Sequence, residues 1–445
     1  MPIDATQLQN FLSWPAGRQL RWYLGLLRSG GEGASAADRA RYAPGLLWTL
    51  KAAATDDEER RAWHDLTDRL GTIVDLSITR VSDCEAVVAL STAKGRKWRL
   101  SMAVERLPPH RISKLQWQRQ LDSNVEVREA TEADGAILAE IERRCPIVRG
   151  PQSRYFDRGD DYFAFARLLE DVTVGIALID GEPAAASCGA LHRVRAGGVV
   201  YPIVTILHLR VVPEHQRKGL RRAVDRVLDK YWSRVHSSCA YVATDNAAML
   251  RAFANQPNRW SATPLRLQLA CADLAGRPMG RRATPADAAA IVGILNACHG
   301  GEEMYLPYNV ESFRARVERA PRQYSWDRVW MTDRAVVGVW PAGESIKLVV
   351  ESNDGRVESR RGHVLDYGFL PGGEEDLTGL LRAWCGWLAA AGMDTLLIFT
   401  SPASPGSEVL RSLARHSEAF YMWTPGIPEP EGVAARGLYV DQAYF

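Results

Sequence analysis

The residues best suited to chemistry lie in one short basic stretch, Glu214-His215-Gln216-Arg217-Lys218-Gly219-Leu220-Arg221-Arg222. Before it runs Ile203–Val212, rich in β-branched and apolar residues and closed by Pro213; after it come periodic apolar residues at Ala223, Val224, Val227, Leu228 and Tyr231. Strand, tight loop and helix are expected in that order. Such a loop meets the helix end where unpaired N–H groups and the positive end of the dipole converge. Gly219 removes the Cβ that would hold an anion off the backbone, and Arg217, Lys218, Arg221 and Arg222 add charge that a pyrophosphate or a 3′-phosphate can use. An ordinary β–α connection with a solvated basic face is the competing reading, and the context decides between them.

That context resembles the acetyl-CoA signature of the GCN5-related N-acetyltransferase (GNAT) family: a hydrophobic strand ending Val-x-Pro, then Gln/Arg-x-x-Gly-x-Gly/Ala, then a helix. Here the pieces are Val211-Val212-Pro213 and Gln216-Arg217-Lys218-Gly219-Leu220-Arg221. The resemblance implies that the backbone around Leu209, Arg210 and Val211 pairs with the pantetheine arm. It also implies that the amides from Gln216 through Leu220 to Arg221 hold the pyrophosphate. Arg221 stands where the pattern has a small residue. A second family feature follows: the strand Ala240–Thr244 leads into Asn246-Ala247-Ala248-Met249-Leu250-Arg251-Ala252-Phe253, similar to Asn-x-x-Ala-x-x-Leu-Tyr. The resemblance implies that Asn246 faces the cofactor arm. Phe253 replaces the Tyr that protonates the leaving thiolate, so Tyr241 or another group serves, or the thiolate leaves unassisted.

The implied reaction is direct attack of an amine on the thioester of acetyl-CoA (or a short acyl-CoA), which needs a base. His208, on the strand before the loop, has a suitable ordinary pKa; a structural histidine is the alternative. Glu142, late in the preceding helix, and Asp245 are further candidates. The segment 143–162, with Arg149, Arg154, Tyr155 and Asp157, is the expected acceptor loop, or else a plain solvated one.

The elements that must position these residues repeat. Arg128-Glu129-Ala130-Thr131-Glu132-Ala133-Asp134 opens one helix-like stretch, and Arg281-Arg282-Ala283-Thr284-Pro285-Ala286-Asp287 opens another 153 residues later. In each a Thr stands at the cap position, and Pro285 suits a first helical turn. Hairpin-like pairs follow, Thr173–Ile179 with Ala184–Leu191 and Arg328–Thr332 with Ala335–Trp340. The strand Val364–Phe369 answers Ile203–Val212. A duplicated domain of about 150 residues accounts for this. The second copy reads Phe369-Leu370-Pro371-Gly372-Gly373-Glu374-Glu375-Asp376 where the phosphate loop belongs, and three carboxylates repel a polyphosphate. Asp366 and Tyr367 are catalytic relics or hydrogen-bonding core residues. The end, Gly437–Phe445, has an apolar pattern suited to a final strand.

Ahead of the repeats, helix-like segments at Gly17–Leu27 and Glu58–Leu70 precede strands Thr72–Val81, Ala86–Ser91, Trp98–Glu105 and Ile112–Trp117. This front segment resembles the NTF2-like (cystatin-type α+β) domain found ahead of some bacterial serine hydrolases; Asp75 and His110 are isolated in it. The expected fold class is mixed α+β and α/β: an NTF2-like cone domain at residues 1–120, a GNAT domain at 125–272, and a degenerate second GNAT-like domain at 280–445.

Bulk properties narrow the function classes. Lys and Arg total 55 against 53 Asp and Glu, a net charge of +2, far from the excess of a nucleic-acid binder. No apolar run reaches the roughly 18 residues of a membrane span, and the start lacks a secretory pattern. The seven cysteines form no CxxC pair, which suggests neither a metal nor disulfides and suits a reducing cytoplasm. The expectation is therefore a cytoplasmic, bacterial N-acetyltransferase with acetyl-CoA as donor and an amine of a small molecule or peptide as acceptor. It has no nucleic-acid or membrane partner, and homo-oligomerisation stays open. A non-catalytic CoA-binding sensor or scaffold is the alternative.

Overall fold

The computed structural model describes residues 14–28, 41, 73–82, 84–93, 97–119, 124–216, 218–247, 249–250 and 259–444. It divides into two compact units, Met1–Asn124 and Val125–Phe445. In the first, helix α1 (Pro15–Arg28) lies with strands β1 (Ile73–Val81), β2 (Glu85–Thr92), β3 (Lys97–Val104) and β4 (Ile112–Arg119). The strands form an antiparallel meander in chain order, whose inner residues Val88, Leu100, Met102 and Ile112 pack on Leu20 and Tyr23 of the helix. The expected helix Glu58–Leu70 lies outside the described residues.

The second unit holds strands β5 (Val125–Glu129), β6 (Ile147–Arg149), β7 (Gln152–Asp157), β8 (Asp171–Ile179), β9 (Glu182–Ala196), β10 (Val199–Val211), β11 (Ser237–Ala243), β12 (Arg259–Ala262) and β13 (Leu265–Ala270). Its later half adds β14 (Arg281–Arg282), β15 (Val329–Met331), β16 (Ala335–Trp340), β17 (Lys347–Ser352), β18 (Gly355–Phe369), β19 (Thr395–Thr400) and β20 (His416–Pro425). One sheet runs β14-β15-β16-β18-β19-β13-β20-β11-β10-β9-β8-β5. The last strands of the two halves are exchanged: β13 lies between β19 and β20, and β20 pairs with β11. The halves therefore share a sheet and also a core, in which Leu138, Ile141 and Leu207 of the earlier half join Ile291, Leu295, Phe313 and Leu365 of the later one.

Helices α2 (Gly135–Arg144), α5 (Ala288–His299) and α6 (Val310–Glu318) contribute to that shared core. On the opposite face, α3 (Leu220–Val224) continues through a 3-10 turn, Asp225–Leu228, into α4 (Asp229–Trp232). This run presses close, because a Cβ on Gly189 would come 2.7 Å from a Leu228 methyl; only glycine allows that approach. Helix α7 (Glu374–Ala390) covers the later half through Leu377, Leu381 and Trp384. Among the described residues no helix is long and apolar enough to cross a membrane.

The two repeated cap sequences form the same arrangement. The Asp134 carboxylate accepts from the Thr131 N–H at 2.7 Å and hydroxyl at 3.0 Å, and Arg128 grips it at 2.6 and 2.8 Å. Asp287 does likewise with Thr284, at 2.8 Å to both groups, and with Arg281 at 2.5 and 2.8 Å. The hydrogen bonds from Arg128 and Arg281 hold both carboxyls well below the usual carboxylate range.

Two expectations need correction. The segment expected as an acceptor loop contains the hairpin β6–β7, and β7 pairs with β17 of the later half. Among the described residues the chain end is not a strand: Leu438 makes an isolated bridge to Glu303, and Gln442–Tyr444 is a 3-10 turn. Its apolar alternation serves to bury Leu438 and Val440. Asp134→Ala and Asp287→Ala should each lower unfolding free energy in urea by about 1–2 kcal/mol, Asp134 by the larger amount because it is the more buried; unchanged midpoints would refute the cap's role.

Candidate functional site

The parallel strands β10 and β11 pair over three residues only, Ile203–Thr205 against Ser237–Cys239. Beyond that point both continue and separate. On the far side of β10 the register with β9 slips between Leu207 and Arg210, a bulge at which His208 adopts φ 47°. The parted β10 edge carries carbonyls with adaptable partners only: Val211 O accepts from the exposed Gln216 side chain at 3.3 Å, and Leu209 O from the Arg210 guanidinium at 3.2 Å.

At the outer end of the gap lies the basic loop. Pro213–His215 is a 3-10 turn, and Gly219, at φ 91°, caps α3 in a left-handed conformation that side chains resist. Leu220 is buried and anchors the helix start. Lys218 is exposed and donates to His215 Nδ1 at 3.0 Å, and Arg221 faces Asp225 at 3.8 Å. Asn246 is exposed, and its side-chain oxygen accepts from the Met249 N–H at 3.2 Å, a helix-cap contact. Arg217 and Phe253 lie outside the described residues.

Behind the bulge the structure brings together two residues expected as bases, with two arginines. Glu142 is buried and lies 3.0 Å from Arg210 and 3.9 Å from Arg158. The guanidinium of Arg158 donates to His208 Nδ1 at 3.2 Å and sits over the rings of Phe165 and Tyr162 at 4.7 and 5.0 Å. Because Arg158 only donates, His208 Nδ1 accepts and the ring proton resides on Nε2. Burial, together with Arg158 and Arg210, pushes His208 well below its ordinary range. Burial works against the Arg210 charge, and Glu142 outweighs it. Sequence reasoning missed Arg158, which sat unmarked within the expected loop.

Tyr241, on β11, is not part of this cluster. It lines a separate cavity of about 200 Å³ on the shared-core face, beside the point where β10 and β11 part. His192 lines it too, with Nε2 2.8 Å from the Thr205 hydroxyl and its ring stacked on Tyr444 at 3.8 Å. Burial pushes His192 down to about 4 and raises the Tyr241 hydroxyl well above its ordinary range, which works against Tyr241 as a proton donor. On the cavity's other side, Arg316 donates to Asp441 at 2.8 and 2.9 Å and to Asp366 at 3.0 Å. Asp366 also accepts from Tyr324 at 2.7 Å, while Asp245 is exposed. The signal for His192, one polar residue in a long strand, was too weak to read, and Asp441 was hidden in the expected final strand.

The later half has the same parting, with Arg361–His363 against Thr395–Leu397, but protein fills it. The Phe369 ring lies where a Cβ on Gly406 would come within 2.8 Å. His299 reaches the Tyr367 carbonyl at 2.6 Å, and Arg316 reaches Leu365 O at 3.2 Å. His299 also meets the Glu302 carboxylate, which Ser404 contacts in turn. Burial opposes its charge, and Cys298 and Glu302 outweigh burial, holding the imidazole up to about 10. Glu374, Glu375 and Asp376 form the first turn of α7.

No family model matches the chain, and no curated protein matches its sequence. Solved structures do. Saccharomyces cerevisiae N-myristoyltransferase with bound myristoyl-CoA aligns with a TM-score of 0.51 at 10% identity, covering 76% of this chain and 92% of that one. The same enzyme with bound myristoyl-CoA and inhibitors gives 0.50 at 11% identity, over 70% and 82%. A GCN5-related N-acetyltransferase from Sphaerobacter thermophilus aligns over 69% of this chain and 99% of that one, at 13% identity and a TM-score of 0.41. At these identities the likeness to N-myristoyltransferase is one of fold.

The histidine shifts carry a pH dependence. His192, at about 4, and His363, pushed by burial to about 3, are neutral when folded and take up protons on unfolding. Their contribution is complete above the ordinary histidine pKa of roughly 6.5 and is lost as pH falls through the folded values. The melting temperature should fall between pH 6.5 and 4, and His192→Gln should make that fall shallower; an unchanged slope would count against the burial of this ring.

Proposed function

We propose that the chain is an acyl-CoA-dependent N-acyltransferase built as a tandem of GNAT-like halves, with its working donor site in the earlier half. The observation that carries this reading is the gap between β10 and β11, with the Gly219 loop at its outer end and the cavity beside its inner one. The parted β10 edge offers the carbonyls of Leu209 and Val211 to the amide groups of a pantetheine arm, displacing the Gln216 and Arg210 contacts. The N–H groups opening α3, with Lys218, face the pyrophosphate. The thioester then lies near Thr205 and the bulge, within reach of an amine in the cavity.

The amine nitrogen attacks the thioester carbonyl, the N–C bond forms and the C–S bond breaks, and the proton lost by nitrogen ends on the CoA sulfur. Neither candidate from the buried cluster suits the base role in the free protein: His208 Nδ1 is occupied by Arg158, and Glu142 is ion-paired. His192 lines the cavity, but burial holds it down to about 4, too weak a base to deprotonate an ammonium. The amine therefore attacks in its neutral form, and its proton passes to the departing sulfur. A short acyl group, acetyl foremost, fits the site, since buried charges behind the bulge are poor neighbours for a long alkyl tail. The protein that shares this fold at a TM-score of 0.51 is an acyltransferase with bound myristoyl-CoA, which supports the donor class. A CoA-binding sensor without turnover is favoured by one observation: Arg221, which faces Asp225 at 3.8 Å, stands where the signature has a small residue.

Calorimetric titration of acetyl-CoA should show one site per chain, weakened at least roughly tenfold by Lys218→Glu and abolished by Gly219→Glu. Binding that survives both changes, or that depends instead on Pro371–Asp376, would refute the assignment. Release of CoA with an amine acceptor separates enzyme from sensor.

A further inference from the structure

Both halves part at the same register: three residues pair, and the last is Thr205 in β10 and His363 in β18. Thr205 reaches His192 in the wall of the earlier half's cavity. The matching face of the later half carries charge instead.

Alternation along the strands defines that face. A Cβ on Gly362 would meet Leu388 and Leu396 on the side of α7, so Ser359, Arg361 and His363 point the other way. Pairing carries the same face across β19 to Arg266 of β13 and Glu418 of β20. Across β17 it reaches Arg154 of β7, which lies opposite Val350, itself opposite Val357. Lys347, Glu351 and Glu358 alternate to the opposite side. So does Asp394, which accepts there from the Arg360 N–H at 2.8 Å.

These strands thus bring three guanidinium groups, Arg154, Arg266 and Arg361, to one face with a single carboxylate, Glu418. Arg266 engages that carboxylate and lies over the Phe420 ring at 4.9 Å. Arg154 donates to the Gln152 side chain at 2.5 Å, and its Nε is buried without a partner. Among the described residues Arg361 and His363 have no side-chain hydrogen bond or ion pair, although the Arg361 Nε is buried. Burial, with Arg266 and Arg154, lowers Arg361 to about 10 against the pull of Glu418 and Asp394. Buried cations are ordinarily paired; this one lacks its counter-charge. Both side chains are only partly buried, so solvent reaches them. A free guanidinium presents a planar fork to two oxygens of one anion. His363, held neutral by burial and neighbouring arginines, adds a ring N–H.

We infer that this face of the later half binds a small oxyanion, the phosphate or carboxylate group of a ligand, with Arg361 as its bidentate anchor and Arg154 and His363 beside it. The site uses no residue of the donor loop, and it stands whether or not the chain transfers an acyl group.

The test is calorimetric titration of inorganic phosphate, and separately of citrate, into the full chain carrying Gly219→Glu, which closes the donor loop to anions. Ionic strength is held constant with chloride. One saturable site should appear, and adding Arg361→Met should weaken it at least roughly tenfold, the effect of losing a charge-assisted bidentate contact. Tighter phosphate identifies a phosphoryl ligand, and tighter citrate a carboxylate one. Adding Arg154→Gln should weaken binding by a smaller factor, and this variant decides if Arg361→Met does not fold. Millimolar phosphate should also raise the melting temperature of the parent by more than that of Arg361→Met. No saturable binding of either anion, binding unchanged by Arg361→Met or by Arg154→Gln, or an equal rise in melting temperature overturns the inference.

Discussion

Two parallel strands that pair for three residues and then separate create a problem that the rest of this fold must solve. Each parted strand turns backbone carbonyls and N–H groups toward a gap, and such groups need partners. The two halves answer differently. In the later half, His299 and Arg316 donate to the carbonyls of Tyr367 and Leu365, and the Phe369 ring packs against Gly406. In the earlier half the corresponding carbonyls of Leu209 and Val211 are met by the neighbouring Arg210 and the exposed Gln216. Those contacts can yield to a ligand at little cost; the buried ones cannot. This asymmetry is why a donor site is proposed in one half only.

The exchange of β13 and β20 follows from the same geometry. A gap beside β11 leaves that strand short of neighbours, and β20 of the later half supplies one; β13 does the same for β19. The exchange fuses two similar halves into a single sheet and core. It also brings Arg316, Asp441 and Tyr444 of the later half to the gap of the earlier one. A cavity walled by both halves is the consequence, and neither half alone would form it.

Much of the architecture was legible in sequence, because local signals set it. Thr131 with Asp134 and Thr284 with Asp287 mark the same cap, and the strands they precede follow in the expected order. The Gly219 loop was legible because a left-handed residue between a strand and a helix leaves few alternatives to glycine. What escaped depends on contacts distant in sequence. Arg158 looked like a loop residue until β7 found β17 as its partner. Asp441 and Tyr444 looked like strand positions, because alternation cannot distinguish a strand from a segment that alternately lines a core and a cavity. Asn246 carries a motif that fits a cofactor arm, yet its side-chain oxygen is engaged in capping the next turn.

The buried charges explain why the residues expected as bases are poorly suited to that role. A base must be neutral or anionic, reachable, and free to accept a proton. Glu142 is anionic but enclosed between two guanidinium groups, which stabilise the charge it would have to lose. His208 is neutral, but its one lone pair is directed at Arg158. That cluster instead holds the bulge in place, since moving His208 would remove a hydrogen-bond acceptor from the buried Arg158 guanidinium. His192 differs in being reachable. It lines the cavity and its ring is fixed by Tyr444 rather than by a cation, yet burial and Arg316 hold it down to about 4 against the pull of Asp441. An ammonium does not yield its proton to so weak a base, so the amine must arrive neutral, and the proton it sheds after attack leaves on the CoA sulfur.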